Sequence, residues 1–223
     1  MIWLIAGVVL LVVVLFIFRS GGFDKNEVKV LEAPEILSSQ LTVYYKHHIG
    51  SYFNMGAQFK ELTSLVPAGA TFFGIYYDDP SKVKLDHLQS AIGVVVEKDG
   101  EKLIDEVLCE QLSRRGLEKM VLPGVTRSVS STRQFSFLGA MLPIANPIAK
   151  LYNDIKEYIV EHRLETTIAI EFFHDEQISV HFPLDHAEEY IVPEKLTTEE
   201  LEHKLAKKNF ILTLCRHLIV LKV

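Results

Sequence analysis

The chain opens with a run of hydrophobic residues that has no periodicity. Residues Ile2 to Phe18 (IWLIAGVVLLVVVLFIF) contain no charge and no amide, and the run stops at Arg19. As a helix the run would be about 25 Å long at roughly 1.5 Å per residue, which is the lower limit for crossing a hydrocarbon core. It predicts an N-terminal transmembrane helix over residues 2–18.

A cleavable signal peptide is the alternative interpretation of this run. Signal peptides open with Lys or Arg, and nothing basic precedes Ile2, although Ser20-Gly21-Gly22 would offer small residues to a peptidase. We therefore expect a retained anchor. Nearby positive residues lie only on its C-terminal side, at Arg19, Lys25 and Lys29. The positive-inside rule then predicts a lumenal N-terminus and a cytosolic remainder.

After the anchor, polar residues 19–39 predict a stalk whose last part pairs as an edge strand. Beyond it, hydrophobic residues follow either a period of two, which predicts strands, or helical spacing. In chain order the predicted elements are strand 41–46, helix 52–65, strands 71–77 and 90–97, helix 103–115, strands 118–122 and 128–138, helix 146–162, and strands 167–173 and 178–183.

The order strand-helix-strand-strand occurs twice, in residues 40–97 and 128–184. Aligning the segment that starts at Ile75 with the one that starts at Glu171 suggests an internal duplication. We predict an α+β domain over residues 40–195, in which each unit supplies antiparallel strands with a helix on one face, leaving a sheet-lined groove between the halves.

Residues 196–223 then form a C-terminal extension. Its first part predicts a charged helix over residues 197–208, capped by Thr197 or Thr198 with Glu200 nearby, and its last part is largely apolar. Docking of the apolar end on the domain is our first expectation. A second membrane span is not expected, because Arg216 and His217 interrupt a run that is already short.

Composition limits the possible functions. With 29 acidic and 23 basic residues, the formal net charge is −6, and no polybasic patch flanks the anchor, so nucleic-acid binding is not expected. The two cysteines, Cys109 and Cys215, show no framework spacing, as is typical of a reducing compartment. Phosphate-loop and Gly-x-Ser-x-Gly motifs do not occur. We predict no cofactor and no enzymatic activity.

The nine histidines do not predict a metal site. His47 and His48 are adjacent on a predicted strand, so their side chains point to opposite faces and cannot both bind one ion. No His-x-x-x-His helix or pair of cysteines accompanies them. We therefore expect no bound metal.

Glu171 is the strongest candidate for binding chemistry. If its strand faces the groove, its carboxylate could bind a cationic or hydrophobic small molecule, with cation–π attraction of about 0.5 to 2 kcal/mol from nearby aromatic rings. The rings expected around it are Tyr44, Tyr45, Tyr76, Tyr77, Phe172 and Phe173. The residues predicted to form this site are Glu171, Tyr45, Tyr77 and Phe173. In the alternative interpretation the rings belong to the core and the carboxylate points to solvent or pairs with a neighbour.

Four short segments carry a resemblance to a known family. They are Tyr44 to Gly50, Ile75 to Pro80, Ala91 to Gly93 and Ile191 to Glu194. In this order behind an anchor, they resemble the testis-expressed protein 264 family, within the gyrase-inhibitor-like (GyrI-like) superfamily. The resemblance implies an anchor in the endoplasmic reticulum membrane and a cytosolic GyrI-like domain of two strand-helix-strand-strand units.

The resemblance also implies a receptor for selective autophagy of the endoplasmic reticulum (reticulophagy), present on autophagosomes as well. In such receptors an exposed aromatic-x-x-aliphatic motif adds a strand to lipid-conjugated ubiquitin-like proteins. A segregase ATPase is a further implied partner. The candidate motifs are Phe59 to Leu62, Phe72 to Ile75, Phe135 to Leu138 and Tyr152 to Ile155, and each falls in a predicted helix or strand.

The alternative function belongs to a different class. It is a membrane-tethered protein that binds, or hydrolyses, a small molecule in the groove around Glu171. A cavity walled by aromatic side chains with Glu171 pointing into it would favour this alternative, whereas a packed groove would favour the adaptor.

Overall fold

The computed structural model describes residues 26–134, 147–175 and 177–208, together with the single helical positions 3, 7, 11 and 14. Most of the predicted anchor, Ile2 to Phe18, lies outside the described residues. Among the residues that are described, no helix is both long and apolar enough to span a membrane.

One antiparallel sheet dominates the described part of the chain, as expected for the predicted α+β class. Its strands are β1 (Lys29–Glu32), β2 (Leu41–Ile49), β3 (Phe72–Tyr76), β4 (Gln89–Lys98), β5 (Glu101–Lys102), β6 (Glu118–Leu122), β7 (Arg127–Gln134), β8 (Ala169–His174) and β9 (Gln177–Pro183). The strand order is β1-β7-β9-β8-β3-β4-β2-β6, and β5 extends β4 as a hairpin.

Two strand-helix-strand-strand units meet at the centre of this sheet. The first consists of β2, helix α1 (Gly56–Leu65), β3 and β4, and the second of β7, helix α3 (Pro147–Glu161), β8 and β9. Strand β3 pairs antiparallel with β8, so the two halves share one continuous sheet instead of facing each other across a groove between separate sheets. The junction is therefore made of backbone hydrogen bonds.

Local sequence explains where the helices begin. A 3-10 turn, Tyr52–Met55, leads into α1, and Asp105 caps helix α2 (Glu106–Arg114) by accepting a hydrogen bond from the Leu108 amide at 2.8 Å. The predicted cap of the last helix, α4 at residues 198–208, is confirmed at Thr197. The Thr197 amide donates to the Glu200 carboxylate at 2.9 Å and the Glu200 amide donates to the Thr197 hydroxyl at 3.4 Å, which forms a capping box.

The two faces of the sheet carry different layers. Helices α1, α2 and α3 cover one face, which we call the helix face, through residues such as Leu62, Leu112 and Leu151. Irregular segments cover the other face, which we call the loop face, with Leu37, Tyr190 and Val192 among the buried residues. Both faces of the sheet thus carry a layer of apolar packing.

The segments that flank the predicted domain take part in its packing. Strand β1 lies within the segment predicted as a stalk and pairs with β7, while Leu37, in the same segment, is fully buried. At the other end Leu201 of α4 is buried, and Gln89 holds the backbone of Leu196 through both its amide oxygen and its amide nitrogen. Residues 209–223, including Cys215, lie outside the described residues.

Candidate functional site

The register between β8 and β3 positions the candidate carboxylate. Glu171 lies opposite Gly74 at the junction of the two units, and its side chain is on the helix face. The residue is only 5% exposed. Its two carboxylate oxygens accept hydrogen bonds from the hydroxyl of Tyr76, at 2.6 Å, and from the hydroxyl of Tyr152, at 2.8 Å. Both oxygens thus have a phenol donor inside the protein.

Gly74 makes room for this arrangement. A Cβ atom at Gly74 would lie 2.9 Å from the hydroxyl oxygen of Tyr76 and 3.1 Å from its ring. Tyr76, two residues further along β3, therefore lies over Gly74 to reach the carboxylate on the neighbouring strand. The glycine is required here for the close approach of a side chain, because its own backbone has an ordinary extended conformation in the strand.

A second layer of aromatic residues packs around the phenols. The rings of Tyr52 and Tyr76 meet edge to face with their centroids 4.8 Å apart, and those of Phe59 and Phe173 do the same at 5.5 Å. The Tyr52 hydroxyl lies 3.0 Å from the carbonyl oxygens of Asp78 and Gln89, both of which are in position to accept its hydrogen bond. The aromatic layer is therefore held in place at its outer rim.

One ion pair ties the two units together near the site. Lys156 of α3 contacts Asp79, in the loop between β3 and β4, at 3.1 Å. Hydrogen bonds from Ser81 and Lys156 outweigh the effect of partial burial, so the pKa of Asp79 is lowered to about 2. Lys156 is 44% exposed, so this pair contributes little to stability. Its main consequence is to fix the loop beside α3.

Burial dominates the electrostatics of the carboxylate. Removal from water raises the pKa of Glu171, and the hydrogen bonds from Tyr76 and Tyr152 oppose that shift without cancelling it. Burial and the nearby carboxylate raise the pKa of both phenols well above the usual tyrosine range. The phenols therefore stay protonated and act as donors.

The structure separates the four residues predicted to form the ligand site. Phe173 shares the helix face with Glu171, because the two residues are two positions apart on β8. Tyr45 and Tyr77 lie on the loop face instead. The hydroxyl of Tyr45 donates to Glu194 at 2.9 Å, and that of Tyr77 donates to the carbonyl of Tyr190 at 3.2 Å. These two tyrosines hold the segment that covers the loop face and do not contact Glu171.

The four residues predicted to form the site did not include Tyr152 or Tyr76, although Tyr76 was among the aromatic rings expected around Glu171. A signal for Tyr152 was present, since helical spacing places it on the same face as Ile148 and Ile155. For Tyr76 the deciding information is the pairing register, because strand alternation alone cannot say which of two adjacent tyrosines shares a face with Glu171. That register depends on contacts far apart in the sequence.

The autophagy-motif candidates within the described residues are packed into helices and strands. Leu62 of α1 and Ile155 of α3 are buried, while Phe59 and Tyr152 are half-buried beside them. The candidate Phe72 to Ile75 lies in β3, at the centre of the sheet. Phe135 to Leu138 lies outside the described residues. As folded, none of the described candidates is an extended, exposed segment.

The histidines within the described residues differ in burial, and His181 is buried. Among the described residues, no group of three or more His, Cys, Asp or Glu side chains is placed to hold a metal ion. His181 of β9 is buried between serines: its Nδ1 lies 2.8 Å from the Ser130 hydroxyl and its Nε2 lies 3.0 Å from the Ser179 hydroxyl. Burial lowers the pKa of His181 to about 4, so the ring is neutral at physiological pH.

The side chains around Glu171 leave its carboxylate little access to water or to a ligand. Glu171 is only 5% exposed, and both of its carboxylate oxygens accept hydrogen bonds from the hydroxyls of Tyr76 and Tyr152. A cationic ligand would have to displace at least one phenol before it could contact the carboxylate. The geometry is that of a satisfied buried network at the junction of two units.

Comparison with known proteins shows sequence similarity to testis-expressed protein 264. No protein-family model matches it. It is 27% identical over 169 residues to the testis-expressed protein 264 homolog of Mus musculus, a match that covers 75% of this chain and 52% of the relative. It is also 27% identical over 159 residues to testis-expressed protein 264 of Homo sapiens, covering 71% and 49%. The chain thus spans about half the length of the curated relatives it matches.

Solved structures show weaker likeness. A hydrolase from Listeria innocua gives a TM-score of 0.41 at 7% identity, covering 71% of this chain and 92% of that one. An integron cassette protein from Vibrio cholerae gives 0.43 at 10% identity, covering 70% and 94%. At such low TM-scores these likenesses add nothing to the functional argument. The predicted resemblance to testis-expressed protein 264 is confirmed by the sequence matches, and the chain is similar to that protein along 75% of its own length.

Proposed function

We propose that this chain is a receptor or adaptor for selective autophagy of the endoplasmic reticulum. It would be anchored by residues 2–18, with its N-terminus in the lumen and its α+β domain in the cytosol. The observation that carries the proposal is the similarity to testis-expressed protein 264 over 169 residues. Residues 2–18, which are apolar throughout, supply the membrane attachment that such a receptor requires.

The packing around Glu171 supports an adaptor over a small-molecule binder. Tyr76 and Tyr152 occupy the positions from which a ligand would reach the carboxylate, and the carboxylate is buried beneath them. The described motif candidates are packed, so binding of ubiquitin-like autophagy proteins through any of them would require local unfolding.

The test is delivery of the chain to lysosomes during starvation. The full chain carries a tandem tag of one acid-sensitive and one acid-stable fluorophore on its cytosolic side. We expect delivery that autophagy inhibitors block and that deletion of residues 2–18 abolishes. A matched control replaces residues 2–18 with an unrelated signal anchor of equal length, and it should restore delivery. Delivery that persists without any anchor, or that is absent from the intact chain, would contradict the proposal.

A second candidate function keeps one specific observation in its favour. Glu171 is a buried carboxyl with a raised pKa among aromatic rings, and such groups are common at binding sites. A membrane-tethered protein that binds a hydrophobic cation would use Glu171 as the counter-charge and the rings of Tyr76 and Tyr152 as walls. Binding of this kind requires the phenols to move away from the carboxylate.

Tetraphenylphosphonium is a suitable probe for this second function. If it binds at the carboxylate, it should raise the unfolding temperature of the full chain, and the rise should disappear in Glu171→Gln. Tyr45→Phe serves as the matched control, because Tyr45 lies on the opposite face of the sheet. Equal responses in the full chain and in Glu171→Gln would exclude the carboxylate as the binding group.

A further inference from the structure

Strand β6 forms one edge of the sheet. It pairs with β2 on its inner side, and no other described strand pairs with it on its outer side. A free edge offers backbone donors and acceptors to another extended chain.

Hydrogen bonds in the neighbouring strands show which backbone groups of β6 point away from the sheet. The amide of Val95 in β4 donates to the carbonyl of Thr71 at 2.9 Å, on the β3 side of β4. Because Val43 of β2 lies opposite Val95, these two residues form a pair without mutual hydrogen bonds. The backbone groups of Val43 therefore point the other way, towards β6.

The same alternation then applies within β6. Met120 lies opposite Val43, so its amide and carbonyl point inward to β2. The amides and carbonyls of its two neighbours, Lys119 and Val121, point outward to solvent. An incoming strand would find two donors and two acceptors there, spaced two residues apart.

The side chains of these two residues lie beside a pocket on the helix face. Lys119 lies opposite Tyr44, and Val121 opposite Thr42, and both Tyr44 and Thr42 line a surface pocket of about 540 Å³ between α2 and the sheet. Ile104 and Cys109 supply further apolar surface in that pocket. Val121 is 48% exposed. A strand added to β6 would thus direct every second side chain towards this pocket.

The charged residues around the pocket indicate which side chain of an incoming strand would fit next to Lys119. Lys102 is paired with Glu106 at 2.5 Å, and Arg114 is paired with Glu110 at 3.2 Å. Glu97 also lines the pocket, and its carboxylate accepts a hydrogen bond from the Thr42 hydroxyl at 3.3 Å. Lys119 makes no ion pair with any other described residue. A carboxylate on the incoming strand, placed next to Lys119, would give this lysine an ion-pair partner.

We propose that the outer edge of β6 binds an extended peptide segment of a partner protein, which adds a strand to the sheet. The segment carries an acidic side chain next to Lys119 and an apolar side chain next to Val121, two residues apart. Backbone hydrogen bonds provide the attachment, and these two side chains provide the selectivity. This surface is independent of Glu171 and goes beyond the proposed receptor function.

A peptide suits this edge better than a second copy of the chain does. Antiparallel self-pairing centred on Met120 would place each Lys119 opposite Val121 of the other copy, which leaves the charge unmatched. Strand β6 is also only five residues long and is followed by Pro123, which limits extension of the sheet. A short acidic and apolar segment meets both limits.

The test is a selection of random dodecapeptides displayed on phage against the full chain in lipid nanodiscs. We expect enriched peptides to share an acidic and an apolar residue two positions apart. In anisotropy titrations Val121→Pro, which removes one outward amide, should weaken their binding by about tenfold or more. Charge reversal in Lys119→Glu should weaken it by a similar factor of about ten.

Two controls keep the outcome interpretable. Val121→Thr retains the amide and the strand propensity, so its affinity should stay within about threefold of the original. The Val121 amide does not pair with β2, so Val121→Pro should keep the far-ultraviolet circular dichroism of the original chain. Lys119→Glu changes only an exposed side chain and tests the site even if the proline variant fails to fold.

Three results would overturn the proposal. The first is a selection that enriches no peptide. The second is a set of peptides that bind the original chain, Val121→Pro and Lys119→Glu equally well. The third is dimerisation in sedimentation experiments that Val121→Pro abolishes, which would show that a second copy occupies this edge.

Discussion

Two buried polar centres lie on neighbouring strands of the sheet but on opposite faces. Glu171 of β8 is on the helix face, and His181 of β9 pairs with Ile170 on the loop face. Exposure is 5% for the glutamate and 3% for the histidine. Glutamate is contacted by two tyrosine hydroxyls, whereas the histidine is contacted by the hydroxyls of Ser130 and Ser179.

The difference between them shows how burial acts on an acid and on a base. Burial raises the pKa of Glu171 above 4.5 and lowers that of His181 from 6.5 to about 4, and both shifts favour the neutral form. Hydroxyl groups suit both centres, because each can donate or accept without carrying charge. The sheet thus contains two titratable groups whose contributions to stability depend on pH with opposite sign.

The largest expected effect comes from removing the glutamate side chain. Glu171→Ala leaves two buried hydroxyls without their acceptor and opens a cavity, so we expect a loss of about 4 kcal/mol in the free energy of unfolding. Urea titration of the full chain measures it. Glu171→Gln is the control, and because it keeps an acceptor of the same size it should lose much less. A Glu171→Ala variant at least as stable as the original chain would contradict a stabilising role for these hydrogen bonds.

The pH dependence of stability is the next expected effect. His181 binds a proton more weakly in the folded state than in the unfolded state, so its contribution is complete above pH 6.5 and is lost as the pH falls towards 4. The shift corresponds to about 3 kcal/mol. Urea titrations at several pH values should show this loss in the original chain.

Two variants separate the histidine from the glutamate in that experiment. His181→Gln should lack the loss between pH 6.5 and 4. Glu171→Gln should retain it, and should lack the opposite slope, a fall in stability as the pH rises from 4.5 towards the raised pKa of the glutamate. An unchanged acid-induced loss in His181→Gln would show that other groups cause it.

A smaller loss of stability is expected when the space above Gly74 is filled. Gly74→Ala would place a Cβ atom 2.9 Å from the hydroxyl oxygen of Tyr76, forcing that hydroxyl away from Glu171. We expect a loss of about 2 kcal/mol, comparable to one unsatisfied buried group. In a Tyr76→Phe background the hydroxyl is already absent, so the same substitution should cost clearly less. Equal costs in both backgrounds would place the conflict elsewhere.

The smallest effect belongs to the loop face. Tyr45 donates to Glu194 at a half-buried site, so Tyr45→Phe should cost about 0.5 to 1 kcal/mol in thermal or urea unfolding. Tyr152→Phe, which leaves the carboxylate with one donor, should cost at least twice as much, about 2 kcal/mol. If Tyr45→Phe cost more than Tyr152→Phe, the hydrogen bond of Tyr45 would contribute more to stability than that of Tyr152 to Glu171, contrary to this expectation.

Local pattern predicted most of the elements, because their determinants lie close together in sequence. Strand β6 has the predicted bounds 118–122, and the helix expected to open at Asn146-Pro147 has Pro147 as its first helical residue. The capping box at Thr197 depends on Glu200, three residues away. Such signals can be read without any knowledge of the tertiary fold.

The candidate site was predicted less well, because it depends on the pairing register. Glu171 was identified, but Tyr77 was chosen where Tyr76 makes the contact, and a shift of one residue along a strand reverses the face. The pairing of Gly74 with Glu171 joins residues almost a hundred positions apart. A local sequence pattern does not reveal a pairing between residues so far apart, and the role of Gly74 depends on that pairing.

The most direct test of this account measures whether the carboxylate of Glu171 is sealed from solvent. Carbon-13 labelled glutamate in the full chain, assigned with Glu171→Gln, allows its titration to be followed by nuclear magnetic resonance. We expect a pKa of Glu171 above 4.5 and hydroxyl protons of Tyr76 and Tyr152 that exchange slowly with water. A pKa at or below 4.5, with exchange as fast as in exposed tyrosines, would show an open site and contradict the packed junction.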